Sequence, residues 1–207
     1  MHYCDSIGLP IPGDSPKIRT EFSKEIPQKY LDDPYLWPAE PYYNMIALLQ
    51  HYGLPTRFLD WSENPYIAVY FALQDLLSKS ECWPLNIAVW ILDLDQLGHE
   101  INWKRLPPYN NQNMLAQRGT FTFIRYHEKD ESLKEPTCHL AYLDKHCRNA
   151  IFPWKKITIS SKHVFELFEY CISYGITYAA IFPDYRGVAE AVKYRRLVNY
   201  YNDNVLE

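Results

Sequence analysis

Apolar side chains recur along the chain at two spacings. In Pro41 to Tyr52, Tyr42, Met45, Ile46 and Leu49 fall at i, i+3, i+4 and i+7, which predicts a helix with one buried face that ends at Gly53. Asn64 and Pro65 read as the cap and first residue of a second helix, over 65–78, with Ile67, Tyr70, Phe71 and Leu77 as its stripe. Lys162 to Tyr174 carries Val164, Phe168, Cys171 and Ile172 on one side and is closed by Gly175, and Asp184 reads as the N-cap of a last helix reaching about Tyr200. The second spacing is that of strands. Thr120 to Arg125, TFTFIR, alternates strictly, while Asn86 to Leu92, NIAVWIL, is the nearly unbroken apolar run of a buried strand. Lys156 to Ser160 and Thr56 to Trp61 are shorter candidates; in an ideal strand Thr56, Phe58 and Asp60 would share one face and Arg57, Leu59 and Trp61 the other.

These elements predict a mixed α/β (α+β) domain: a twisted central sheet with flanking helices. Residues 101–118 read as loop followed by a short helix or turn, 176–182 as loop or a short element, and 138–151 as ambiguous. Residues 1–41 hold Pro10, Pro12, Pro16, Pro27, Pro34, Pro38 and Pro41, which predicts a Pro-rich extended N-terminal arm with short helical pieces, one within Lys17 to Ile26. The domain proper is expected over 42–207.

Composition narrows the picture. At 207 residues and 47% apolar side chains, the chain suits one domain with a substantial core. A formal net charge of −4 argues against broad nucleic-acid binding, which needs a basic face. No apolar run approaches a membrane span, and the opening MHYCDSIGLPIPGDSP lacks the charged and apolar regions of a secretory leader. The expectation is a cytoplasmic protein whose five cysteines are reduced thiols. Cys138-His139 and His146-Cys147 are spaced unlike zinc ligands, so no metal is expected.

The candidate chemistry is concentrated in one stretch. His51, Tyr52, Thr56, Arg57, Asp60, Trp61 and Ser62 crowd between Gly53, Pro55 and Pro65, beside the end of one expected helix and the start of another. Polar groups converging there suit a pocket wall, and His51, Tyr52, Thr56, Arg57, Asp60 and Trp61 are its candidate ligand-binding residues. The structural reading is a polar network that holds a loop, with Arg57 paired to Asp60.

The same stretch carries a family pattern. Gln50 to Ser62, QHYGLPTRFLDWS, followed by Pro65, Ala68, Phe71 and Ala72, resembles the central motif of FRG-domain proteins, with Phe58 for the usual Leu and Ser62 for the usual Thr. Asn113 to Thr122, NMLAQRGTFT, resembles that family's second motif. Gly175-Ile176-Thr177 with Phe182-Pro183-Asp184 and Gly187 resembles its C-terminal pattern. Nothing in residues 1–50 matches the aromatic-Arg-Gly motif that gives the family its name, so the resemblance implies an FRG-like domain lacking its first strand, in a chain shortened at its N-terminus.

The family is in turn similar in pattern to ADP-ribosyltransferases. That similarity implies NAD as cofactor and puts Ser62 and Gln117 at the catalytic positions. Gln carries no charge and cannot act as a base, so the resemblance implies either an ADP-ribosyltransferase-like enzyme or an NAD- or nucleotide-binding domain of that kind that is inactive in this shortened form. The other reading is a non-catalytic module for a nucleotide or protein partner, in a bacterial, phage-related or toxin-like setting.

Overall fold

The computed structural model describes residues 2–21, 27–78, 84–97, 101–108, 111–125 and 154–205. The chain divides into two compact units, each assembled from separated stretches. The first takes in the described residues up to Asp60, Leu94–Asn111 and the strand segment from Thr120; the second takes in Trp61–Asp93, Gln112–Gly119 and the described residues from Trp154 on.

The first unit opens with short helices α1 (His2–Ser6), α2 (Pro16–Glu21) and α3 (Gln28–Asp32), then two 3-10 turns, Pro34–Leu36 and Glu40–Tyr42. The proline-rich stretch is therefore largely turned rather than extended. Proline starts helices readily and stops them soon after, which keeps each piece short. Glu21 ties the pieces down, accepting hydrogen bonds from Lys29 Nζ and the Tyr42 hydroxyl. These bonds hold the Glu21 carboxyl below the usual range. Tyr42 is buried inside the ring cluster Tyr30, Trp37 and Tyr42.

Helix α4 (Tyr43–His51) lies where the periodicity put it, but its buried residues are Tyr43, Ile46 and Ala47 rather than the Met45/Leu49 side. Tyr43 draws the face round by packing on Phe58 and Phe123, whose rings lie 5.7 and 5.2 Å away. The helix ends in a Schellman pattern, Leu54 N–H to Leu49 O and Gly53 N–H to Gln50 O, with Gly53 at φ +89°.

The strand expected over 56–61 is shorter and later, β1 (Leu59–Ser62). The Thr56 hydroxyl accepts the Phe58 N–H at 3.1 Å, a local bond that competes with strand pairing. Two further strands complete this sheet, β3 (Ile101–Lys104) and β4 (Gly119–Ile124), in the order β1-β4-β3, with Asn102 opposite Phe123 and Trp103 opposite Thr122. Strand β3 lies where the sequence read as loop; pairing with β4 overrides its weak local signal.

The second unit holds α5 (Pro65–Ser78), β2 (Asn86–Leu92), α6 (Gln112–Ala116), β5 (Trp154–Ser160), α7 (Val164–Ser173), α8 (Tyr178–Ile181) and α9 (Tyr185–Val205). Asn64 caps α5 through Tyr66 N–H at 3.0 Å, and Asp184 caps α9 through Gly187 N–H at 2.6 Å, both as the sequence indicated. Strands β2 and β5 pair antiparallel, Trp90 opposite Lys156.

The core of this unit joins Ile67, Tyr70, Leu73, Leu76 and Leu77 of α5 to Ile87, Val164, Phe168, Cys171, Ile181 and Val198. Each such side chain contributes about 1.5–3 kcal/mol on burial, so α5, contributing five of them, is the spine of the unit. The fold is mixed α+β as expected, with its strands divided between two small antiparallel sheets rather than gathered in one central sheet.

Candidate functional site

Gln50, on the last turn of α4, organises the polar turn of the first unit. Its amide donates to the Asp60 carboxylate at 2.5 Å, and its carbonyl oxygen accepts from the Thr56 hydroxyl. Thr56 in turn accepts the Phe58 N–H, so one side chain on a helix end fixes both sides of the turn leading into β1. The Asp60 residue keeps surface open to solvent, yet protein crowds its carboxyl. Lost hydration raises its pKa, while the Gln50 bond and neighbouring His51 pull the other way. His51 and Tyr52 stand edge to face with ring centres 5.3 Å apart; Tyr52 is 80% exposed.

Arg57 takes a different course from the one expected. Its Nη1 donates to the backbone carbonyls of Trp37, at 2.9 Å, and Pro34, at 3.3 Å. The Arg57–Asp60 pairing of the structural reading is thus replaced by other bonds, Arg57 to two carbonyls and Gln50 to Asp60. The Thr56–Phe58 bond keeps residue 57 out of β1, and from there its guanidinium reaches back to residues 34–37.

A second guanidinium reaches the same segment. Arg125, just after β4, donates from Nη2 to the Pro38 carbonyl and the Tyr43 hydroxyl, both at 3.2 Å, and lies 5.8 Å from the centre of the Phe123 ring. Two arginines thereby hold residues 34–38 through three carbonyls.

The remaining candidates lie in the second unit. Trp61 is half-buried there. The Ser62 hydroxyl donates to the Gln117 carbonyl at 2.8 Å and accepts the Asn64 N–H at 3.1 Å. Gln117 itself turns its side-chain amide to the Ile181 carbonyl at 3.5 Å, and Glu63 N–H bonds the Arg118 carbonyl. Arg118 adopts φ +49°, which turns the chain from α6 into β4. Segments from all three motif stretches meet here: Ser62 from the first, Gln117 from the second, Ile181 beside the third.

The structure therefore joins His51, Tyr52, Thr56, Arg57 and Asp60 in one unit, and Trp61, Ser62 and Gln117 in the other. Two residues that matter escaped the candidate set. Gln50 heads the quoted motif and stands one helical residue before His51, which was signal enough. Arg125 ends an alternating strand and carries no local sign of its partners at Pro38 and Tyr43. The Cys138-His139 and His146-Cys147 pairs lie outside the described residues. No helix among the described residues is long and apolar enough to cross a membrane.

No curated protein and no solved structure matches the chain. A family model does: residues 12–81 match the one described as FRG domain, a stretch that starts among the short N-terminal helices and runs through the Gln50–Ser62 motif and α5. Over residues 12–81 the chain carries an FRG domain.

Proposed function

We propose that this FRG domain is a binding module for an NAD-type nucleotide and does not itself turn the nucleotide over. The observation that carries this reading is the engagement of the Ser62 hydroxyl. It donates to one backbone group and accepts from another, so it serves as a pin between the start of α5 and the end of α6. Gln117, at the other implied catalytic position, supplies no negative charge for an oxocarbenium-like centre. Binding asks for less. Tyr52 offers an exposed ring face for a purine or nicotinamide. Asp60 has acceptor capacity beyond its bond from Gln50, which suits ribose hydroxyls.

The test combines melting and turnover. NAD and ADP-ribose should raise the melting temperature, because a ligand that binds only the folded state stabilises it. Tyr52→Ala should abolish the rise without changing the unliganded melt. Ser62→Ala should lower the unliganded melt and keep the rise. Nicotinamide release from NAD that disappears in Ser62→Ala would show catalysis and overturn the reading. So would the lack of any shift with NAD, ADP-ribose or mononucleotides at about millimolar concentration.

A further inference from the structure

Helix α9 is anchored on one side and open on the other. Asp184 caps its first turn, and Gly187 sits flush against the Phe182 backbone. Inward, Val198 is fully buried and the Tyr194 ring lies near Phe168 and Tyr178, at 6.3 and 5.8 Å. On the opposite side Tyr185, Val188 and Val192 fall at i, i+3 and i+7, and are 96%, 52% and 48% exposed. Arg196 continues the line one turn on. From Tyr185 to Arg196 the line runs about 16 Å at the rise of an α-helix. Single exposed apolar side chains are ordinary surface, but three in register on a fixed helix form a stripe.

The charges beside the stripe say what would cover it. Lys193 pairs with Glu190 and Arg195 with Glu169, whereas Arg186 and Arg196 make no ion pair among the described residues. Over its length α9 holds four cations, Arg186, Lys193, Arg195 and Arg196, against Glu190 and Asp203, in a chain of net charge −4. We infer that this face docks an amphipathic helix of a partner protein, one whose apolar line is flanked by Asp or Glu. The apolar line supplies the contact area, and opposite charge at its edges sets register and encounter rate. A second copy of this chain is the less suited occupant, since its α9 brings no acid in the line to meet Arg196.

The probe is a labelled helical peptide with leucines at i, i+3 and i+7 and glutamates flanking them, compared with the same peptide carrying lysines instead. Fluorescence anisotropy with the full chain should show the acidic peptide binding at least about tenfold more tightly, with affinity falling as salt rises. Val192→Asp should weaken it by about tenfold or more while melting like wild type, and Arg196→Glu should shift preference toward the lysine peptide. If Val192→Asp fails to fold, the Arg196→Glu preference carries the test alone. Equal binding of both peptides, or binding of neither, would overturn the inference. So would a concentration-dependent dimer, or adsorption to phosphatidylserine vesicles, that Val192→Asp removes while the acidic peptide still fails to bind.

Discussion

Gly187 and Phe182 touch backbone to backbone: a Cβ on Gly187 would stand 1.8 Å from the Phe182 carbonyl oxygen and 2.9 Å from its carbonyl carbon. Neither atom belongs to a side chain that can rotate away, so the start of α9 would have to move. Gly187→Ala should therefore destabilise the protein by about 3 kcal/mol, the upper end of ordinary overpacking. For a chain of this length that is a fall of roughly 6–12 °C in melting temperature, readable by calorimetry. A wild-type melt for Gly187→Ala would mean that α9 is not held at this contact.

Arg57→Ala should remove the guanidinium bonds to the Trp37 and Pro34 carbonyls, of which Pro34 keeps the bond from Trp37 N–H. The expected cost is about 1.5–3 kcal/mol in urea denaturation, the range for a hydrogen bond made by a charged group. Limited proteolysis between Gln28 and Trp37 should speed up. Arg57→Lys keeps the charge and loses the fork, and should fall between the two. The Asp60 carboxyl should titrate alike in wild type and Arg57→Ala, because its bond comes from Gln50. A large change in that titration would restore the Arg57–Asp60 pairing.

The Asp60 carboxyl, raised by lost hydration, makes a pH prediction with a definite sign. A carboxyl that binds its proton more tightly folded than unfolded favours the fold when protonated. That contribution is present at low pH and is lost as pH rises through the window between the unfolded value, about 3.9, and the raised folded value. Asp60→Asn removes the titration. Its stability relative to wild type should rise with pH across that window and level off above it. A carbon-detected NMR titration placing the Asp60 midpoint below the usual aspartate range would contradict the crowding described here.

Cys171 is buried on α7, its Sγ 3.7 Å from the Tyr66 carbonyl, and burial pushes its thiol up to about 11. The thiolate is the reactive form, so iodoacetamide at mildly alkaline pH should leave Cys171 unmodified in the folded protein and label it after unfolding. Cys4, half-buried near the N-terminus, should react before Cys171. Rapid native labelling of Cys171, located by peptide mass spectrometry, would show that the α5–α7 contact opens readily.

How much of this was legible in the sequence depended on the range of the forces involved. Helix ends were readable because their causes are local: Asn64 and Asp184 cap within three residues, and Gly53 closes α4 from the next turn. The stripe of α7 was readable for the same reason. Strand β3 was not, since Ile101–Lys104 becomes a strand through pairing with β4 rather than through its own pattern. The central motif is visible in the sequence as a polar cluster, but its partners are not. Arg57 and Asp60 are neighbours in sequence, yet Arg57 reaches Trp37, twenty residues back, and Asp60 is held by Gln50. Ser62 and Gln117 were picked for their positions in a family pattern; that they bond each other, fifty-five residues apart, has no local signature.

The interleaving of the two units has a consequence for how the chain is made. Helix α5 is made before the elements that cover Leu73 and Leu76 in the folded core. Part of that cover, Val164 and Phe168 of α7, is translated some ninety residues later, and Val198 of α9 later still. Non-local closure of this kind slows folding and leaves apolar surface uncovered in the meantime. Between α5 and α7 the nascent chain carries apolar surface of the kind that holding chaperones shield, and pauses in translation there would lengthen that exposure.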